Sequence, residues 1–313
     1  MNQVGNITIS ITNRCNYLCT HCSFDSGERK ISECTVEEWK KFLQEARSYG
    51  ARKIDIGGGE PTLREDLPEI IRLAHGLGYS VKLLTNGSLL NKEKLEKLKE
   101  SKLEAIAVSL DGSNSDVHNA IRKKDEEEFR KTVESIRRAK DYGFFVKINS
   151  VVVNKNLEDL PNLISLCLDV GADEHRLCYF TPTGRGARNP DGVAPEKWLA
   201  FIRRNFTQFQ RFSSIYIGVP FIENNRTLET CCWLNEGIFP LHALPNGDVY
   251  ACSIRTATDQ PLGNIKQKGI RETVEKESKT EGCCFDYSPN FGSASKNMKY
   301  VCPLRKFQLQ EIL

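Results

Sequence analysis

The sequence lacks long apolar runs and an excess of charge of either sign. No stretch of about 18 apolar residues is present to cross a membrane, and no charged and then apolar signal peptide opens the chain. The 44 lysines and arginines nearly balance 41 acidic residues, so the net charge of +3 forms no basic arm. We therefore expect a cytosolic protein that binds neither membranes nor nucleic acid.

Cysteine, in contrast, is abundant. The chain of 313 residues contains 12 cysteines. A reducing cytosol disfavours disulfides, so metal ligation or catalysis is the main reason to keep so many thiols. The length and a hydrophobic content of 39% allow one large core plus a small appended unit.

Apolar β-branched runs alternate with amphipathic helical patterns over the first 220 residues. Strands are predicted at 7–11, 53–56, 81–85, 105–110, 145–153 and 175–180, and helices at 36–49, 67–77, 92–100, 127–142 and 160–170. The first helix is marked by a capping box of Thr35 and Glu38. Strands separated by helices pair in parallel, and six such units fall short of a closed barrel of eight. The predicted fold class is α/β, a partial (β/α)6 TIM-type barrel with its chemistry at the carboxyl ends of the strands.

The strand and helix alternation stops near residue 230. A helical pattern at 195–212 and an apolar run at 215–219 are expected to complete the barrel side. Beyond them lie paired cysteines and a Pro-Asn-Gly-Asp turn at 245–248 that suits a hairpin. We predict a barrel domain at 1–220 and a small cysteine-rich domain at 221–313.

Three cysteines follow the first predicted strand. Cys15, Cys19 and Cys22 have the spacing C-x3-C-x2-C. Three thiolates can hold three irons of a four-iron cluster and leave the fourth iron open to a ligand. The alternative is a structural zinc with His21 as the fourth ligand. A glycine-rich loop at 57–62, after the second strand, favours the cluster.

Together these motifs resemble the radical S-adenosylmethionine (SAM) superfamily. The resemblance spans essentially the whole chain and has five loops in the expected order. They are the C-x3-C-x2-C loop, Gly-Gly-Glu-Pro at 58–61, Thr-Asn-Gly at 85–87, Ser-Leu-Asp-Gly at 109–112 with His118 and Arg122, and Pro-Thr-Gly-Arg-Gly at 182–186.

The resemblance implies a [4Fe–4S] cluster that cleaves SAM reductively to a 5′-deoxyadenosyl radical, with a flavodoxin or ferredoxin as electron donor. Backbone carbonyls of Gly58 and Gly59 would approach the SAM amine, and Glu60 would add a negative charge for it. The remaining predicted contacts are Arg122 to the carboxylate, Ser109 and Asn149 to the ribose, and Phe24 to the adenine.

Each predicted SAM contact has a structural alternative. Ser109 and Asn149 are also suited to capping strand ends, and Arg122 to pairing with acids on an exposed helix. His21 and His118 are expected to be packing or hydrogen-bonding residues, since a single histidine is weak evidence of ligation.

The C-terminal cysteines resemble an auxiliary-cluster unit of the same superfamily, called SPASM in its full form and twitch in its shorter one. Cys232, Gly247 and Cys252 have the spacing of that unit, and the Leu-Gly-Asn-Ile run at 262–265 resembles another part of it. The full form uses seven cysteines for two clusters, whereas six lie between 231 and 302 here.

We therefore predict one auxiliary [4Fe–4S] cluster. Its predicted ligands are Cys232, Cys252, Cys284 and Cys302, with Cys231 and Cys283 as possible substitutes and a zinc on the same thiolates as the alternative. The other thiols, Cys34, Cys167 and Cys178, are expected to be ordinary buried residues.

The substrate is the least constrained part of this assignment. The run at 22–27, Cys-Ser-Phe-Asp-Ser-Gly, resembles enzymes that act on sugars or sugar nucleosides. Because the first predicted strand begins by Ile7, we expect no N-terminal leader-binding domain. A small polar metabolite is therefore expected, with a ribosomally made peptide as the alternative and a non-catalytic iron–sulfur or zinc scaffold as the alternative of another class.

No catalytic acid or base is assigned. Sulfatase-maturating relatives carry an acid where this chain has Ser253, so their general base does not transfer. Glu223, Asp111 and Arg185 are candidate substrate contacts without an assigned role.

Overall fold

The architecture is an α/β sheet wrapped by helices. A computed structural model describes residues 3–28, 31–212, 215–218, 238–251, 260–267, 269–271, 274 and 306–308. Its strands are β1 Gln3–Thr12, β2 Lys53–Gly58, β3 Ser80–Thr85, β4 Ala105–Ser109, β5 Phe145–Val152, β6 Glu174–Tyr179, β7 Ile215–Gly218, β8 Ile238–Ala243, β9 Asp248–Tyr250, β10 Gly263–Asn264 and β11 Lys306–Gln308. Its helices are α1 Val36–Ser48, α2 Leu67–Gly76, α3 Lys92–Glu100, α4 Ser115–Arg122, α5 Glu126–Asp141, α6 Leu160–Asp169, α7 Arg185–Arg188, α8 Pro195–Arg204 and α9 Phe206–Gln210.

All described strands belong to one sheet, in the order β10-β9-β8-β1-β2-β3-β4-β5-β6-β7-β11. Strands β1 to β7 pair in parallel with their sequence neighbours. Helices connect these strands, as a parallel sheet requires. The prediction of an α/β fold built on a parallel, partial barrel is confirmed.

The helix boundaries follow the hydrophobic periodicity closely. Helix α1 begins after Thr35, whose hydroxyl accepts a hydrogen bond from the Glu38 amide while the Glu38 carboxylate accepts one from the Thr35 amide. The helical pattern at 195–212 is divided at Asn205, where the backbone leaves the helical region. Among the described helices, none is long and apolar enough to cross a membrane.

The two faces of the sheet differ in burial. Alternate residues such as Val81 and Leu83 are fully buried against the helices, whereas Lys82 between them is half-buried on the concave face. The concave face is therefore the accessible side of the sheet, and the loops after each strand surround its carboxyl end.

Strand β8 extends this sheet instead of lying apart from it. It pairs in parallel with β1, with Leu241 opposite Ile7. The hairpin predicted at 245–248 is confirmed, because β8 and β9 pair antiparallel and Gly247 takes a φ of 95° in the turn. The domain division at 220 stays a prediction.

The predicted auxiliary-cluster ligands, Cys232, Cys252, Cys284 and Cys302, lie outside the described residues, as do Cys231 and Cys283. Of the other thiols, Cys34 and Cys167 are buried and Cys178 is half-buried. Burial raises the pKa of the Cys34 thiol to about 11, which suits an unreactive core residue.

We expect Leu241→Ala in β8 to lower the free energy of unfolding by about 2–5 kcal/mol, because a fully buried side chain is lost from the main core. Urea denaturation followed by circular dichroism measures the change. The matched control is Leu244→Ala, three residues further along at a half-buried position, for which we expect a smaller effect. A free energy of unfolding equal to that of the wild type in the Leu241→Ala variant would show that β8 does not contribute to the barrel core.

Candidate active site

The cysteine loop directly follows β1 and closes on itself. Cys15 donates its amide to the Gly27 carbonyl at 2.8 Å, and the Gly27 amide donates to Asn13. Two sulfurs also accept backbone hydrogen bonds, Cys15 from Tyr17 and Cys22 from Ser26, both at 3.4 Å. The run at 22–27 thus folds the loop around its own thiols.

Burial disfavours the ionisation of two of the three thiols. It is the largest cause of the rise in the pKa of Cys15 to about 12, and the charges of Glu60, Cys19 and Cys22 contribute to that rise. Burial also raises the pKa of Cys19, against the opposing charge of Arg122. Because metal ligands must be thiolates, this set needs a strongly cationic partner, and a cluster of irons supplies one.

The zinc alternative requires His21 and the three thiols to meet at one point. Over the described residues, no three histidine, cysteine, aspartate or glutamate side chains converge on a single ion. His21 turns its Nε2 toward Asp111 Oδ2 at 3.8 Å, and its burial lowers the pKa of the imidazole to about 4. A four-iron cluster takes each thiolate on a separate iron, so it does not require convergence on one point.

The glycine loop after β2 lies in backbone contact with the start of the cysteine loop. Gly59 donates its amide to the Thr12 carbonyl at 2.7 Å, and Glu60 donates to the Arg14 carbonyl at 2.8 Å. A Cβ on Gly59 would lie 2.2 Å from the Arg14 carbonyl oxygen, and Gly58 has a φ of 133°. Only glycine allows this approach. The predicted binding loop for the SAM amine is thereby held next to the first cysteine.

Glu60 is fully buried and its carboxylate joins two loops. It accepts hydrogen bonds from the Thr62 amide and hydroxyl, from the Thr85 hydroxyl at 2.7 Å and from the Asn86 amide at 2.7 Å. Burial raises the pKa of Glu60, and these donors oppose that rise. The contacts explain the Thr-Asn-Gly motif after β3, since its residues anchor Glu60. Its direct contact with the SAM amine stays a prediction.

Arg122 reaches Cys19, one of the predicted cluster ligands. Its Nε donates to Asp111 Oδ2 at 2.6 Å and its Nη1 donates to Cys19 Sγ at 3.7 Å. The alternative of an exposed helix residue that pairs with acids is right about the pairing and wrong about the exposure, because Arg122 is only 7% exposed. Burial alone would raise the pKa of Asp111, but the Arg122 charge holds it below its usual value. A contact of Arg122 with the SAM carboxylate stays a prediction beside this observed role.

Two predicted ribose contacts lie side by side. Ser109 at the end of β4 is in register with Asn149 on β5, and both are half-buried on the concave face. Phe24 lies elsewhere, with its ring 5.3 Å from the ring of His242 on β8. Phe24 and Gly58 border a cavity of about 380 Å³ at the carboxyl ends of β1 and β2. The structure thus arranges these residues around one open end of the barrel.

Arg185 has a role that the sequence did not reveal. Its Nη1 donates to the Cys19 carbonyl at 3.1 Å, its Nη2 to the Ser26 carbonyl at 2.5 Å, and its amide to the Cys22 carbonyl at 2.8 Å. The side chain therefore holds the cysteine loop from the loop after β6. The Pro-Thr-Gly-Arg-Gly motif was the available signal, but its contact partner is 159 or more positions away in sequence.

The family assignment follows from comparison with known proteins. The model of the radical SAM superfamily matches residues 9–167, about half of the chain. The chain belongs to the radical SAM superfamily of enzymes, whose members use a [4Fe–4S] cluster and SAM. Cys15, Cys19 and Cys22 would hold three irons of that cluster, which supplies the electron for SAM cleavage, and the glycine loop would receive SAM.

Individual relatives support the same assignment. The AdoMet-dependent heme synthase of Methanosarcina barkeri is 32% identical over 67% of this chain and 60% of its own length. The mycofactocin maturase MftC of Mycolicibacterium smegmatis is 30% identical over 87% of this chain and 70% of its own. Streptococcus suis SuiB bound to the precursor peptide SuiA has the same fold, with a TM-score of 0.72, 17% identity and coverage of 89% and 65%. The chain thus spans less than two thirds of the heme synthase and of SuiB.

We expect Gly59→Ala to weaken SAM binding at least tenfold, because the added methyl group would displace the Arg14 carbonyl beside Cys15. Gly57→Ala is the matched control in the same motif, since its Cβ would meet only the Leu84 side chain, at 3.3 Å. Anaerobic calorimetry on the reconstituted proteins measures both affinities. Equal affinities in the two variants would contradict the role of the Gly59 approach.

We expect Arg122→Gln to lower the midpoint potential of the cluster by at least about 59 mV, a tenfold change in a one-electron equilibrium. Loss of a buried cation and of a hydrogen bond to Cys19 Sγ favours the oxidised, less negative cluster. A redox titration followed by electron paramagnetic resonance measures the potential. Arg122→Lys keeps the charge and should shift it less. An unchanged potential in the glutamine variant with full iron content would refute this role.

Proposed function

We propose that this protein cleaves SAM reductively and uses the 5′-deoxyadenosyl radical to abstract a hydrogen atom from a peptide. One observation carries the first half of the proposal. The three-cysteine loop and the glycine loop are joined by backbone hydrogen bonds from Gly59 and Glu60, which supports adjacent binding of the predicted cluster and of SAM.

The joined loops also argue against a scaffold or sensor. A structural iron–sulfur or zinc site requires only its ligands. It does not require a glycine loop in contact with them. Here Gly58 and Gly59 adopt a geometry that other residues cannot adopt without displacing the Thr12 and Arg14 carbonyls. Such a constraint is expected where the backbone must approach a bound molecule closely.

A peptide substrate replaces the small polar metabolite that the sequence suggested. The solved structure of SuiB contains a precursor peptide, and MftC is named a maturase. Residues 22–27, whose sequence resembles that of sugar-acting enzymes, form hydrogen bonds and ion pairs that hold the cysteine loop. Ser26 binds Cys22 Sγ and Asn13 Oδ1, and Asp25 pairs with Arg185 and Arg188. These contacts account for the run without a sugar.

The proposal includes a flavodoxin-like or ferredoxin-like electron donor and one auxiliary [4Fe–4S] cluster. The auxiliary cluster rests on the resemblance to SPASM and twitch units, with Cys232, Cys252, Cys284 and Cys302 as its ligands. It would accept an electron from the substrate radical or bind the substrate.

We expect the reduced, reconstituted wild type to form 5′-deoxyadenosine from SAM, and the triple variant with Cys15, Cys19 and Cys22 changed to alanine to form none. The variant loses every thiolate of the radical cluster but none of the predicted auxiliary ligands. Anaerobic incubation with dithionite followed by chromatography measures the product, and iron analysis measures the cluster that remains. SAM cleavage by the triple variant would refute the assignment of the radical cluster.

The same assay separates the substrate classes. Pools of synthetic peptides should stimulate 5′-deoxyadenosine formation and show a mass change, whereas pools of sugars and nucleosides should do neither. Stimulation by the sugar or nucleoside pool alone would overturn the peptide half of the proposal and leave the radical half intact.

A further inference from the structure

Two cations on the concave face of the barrel are each paired with a carboxylate on the neighbouring strand. Lys82 on β3 binds Asp55 on β2 at 2.8 Å, and Lys147 on β5 binds Glu174 on β6 at 2.7 Å. In each case the partner is the residue in register on the adjacent strand. Opposite charges placed this way satisfy each other and keep the face neutral.

Arg176 on β6 breaks this pattern. It lies between His175 and Leu177, which are both fully buried on the helix side, so Arg176 faces the concave side and is half-buried. Its register partner on β5 is Asn149, which carries no charge. Within the part of the chain that the structure describes, no carboxylate pairs with this guanidinium.

The position of Arg176 is also distinctive. It shares one row across the sheet with Asn149 and Ser109, and Ser109 is the last residue of β4. The paired cations lie in deeper rows, since Lys147 precedes Asn149 by two residues on β5 and Lys82 is in register with the first residue of β4. The unpaired guanidinium is therefore in the layer where barrel enzymes bind their substrates.

We propose that Arg176 binds a carboxylate of the substrate. A guanidinium presents a planar set of donors that matches a carboxylate, and partial burial strengthens the pair. Since the substrate class rests on the proposed function, the ligand is the side-chain carboxylate of an aspartate or glutamate in a peptide, or its terminal carboxylate.

The carboxylate of SAM is the other source of this chemistry, and the topology disfavours it. The methionine end of SAM belongs at the cysteine and glycine loops after β1 and β2. Arg176 is four strands away from β2, about 19 Å along the sheet. Ser109 and Asn149, the predicted ribose contacts, lie between the two places. Arg176 is thus placed beyond the ribose, on the side where a substrate would meet the radical.

The test is protection of Arg176 from phenylglyoxal, which modifies accessible guanidinium groups, measured by peptide mass spectrometry on the reconstituted protein. The probes are N-acetylglutamate α-amide, the neutral N-acetylglutamine α-amide as matched control, and SAM. We expect the glutamate probe to slow labelling of Arg176 at least threefold, and the other two to leave it unchanged. Arg204 is 63% exposed and paired with Glu158 on the outer surface, so its labelling should not respond to any probe.

Each other outcome would overturn the proposal. Equal protection by both amides would show no preference for a carboxylate, and protection by SAM alone would assign Arg176 to the SAM site. Absence of protection, or absence of labelling in the free protein, would show that the guanidinium is not an open carboxylate site. The labelling needs no turnover, so it fails or succeeds independently of SAM cleavage, which the 5′-deoxyadenosine assay measures separately.

Discussion

The site depends on the close approach of two backbones, the glycine loop after β2 and the first residues of the cysteine loop after β1. Gly58 and Gly59 lie so near the Thr12 and Arg14 carbonyls that no side chain fits between them. This approach joins the loop of the predicted cluster ligands to the loop predicted to bind SAM. Because β1 and β2 are adjacent and parallel, both loops leave the sheet at the same edge.

Buried charged side chains also act on the two loops that the backbone contacts join. Arg122 lies between Asp111 and Cys19, so a carboxylate fixes the cation that touches a cluster thiol. Glu60 serves a different purpose, because its carboxylate is occupied by donors from Thr62, Thr85 and Asn86. Asp111 thus orients a cation, whereas Glu60 connects two loops. Burial of such charges costs free energy of folding unless hydrogen bonds satisfy them, and both carboxylates accept hydrogen bonds here.

The concave face shows how the rest of the barrel supports chemistry at its open end. Its deeper rows carry cations neutralised by carboxylates on the next strand. The upper row carries Ser109, Asn149 and Arg176, polar groups without such partners in the described chain. Strand β8 adds a second border beside β1, where His242 binds Ser10 at 2.9 Å and packs near Phe24. The site is thus bordered by residues of β8 and β1 on one side and by residues of β4, β5 and β6 on the other.

The amino-acid sequence by itself determined the alternation of strands and helices, because burial of one face imposes a period that can be read directly. It also determined the two motifs, since thiolate spacing and glycine runs are local properties. It did not determine the partners of Arg122, Arg185 or Arg176. Those partners, or their absence, depend on which strands become neighbours and in what register. The tertiary structure decided that Arg122 binds Cys19 over 103 positions and that β8 joins β1, because contacts between distant segments leave no local pattern.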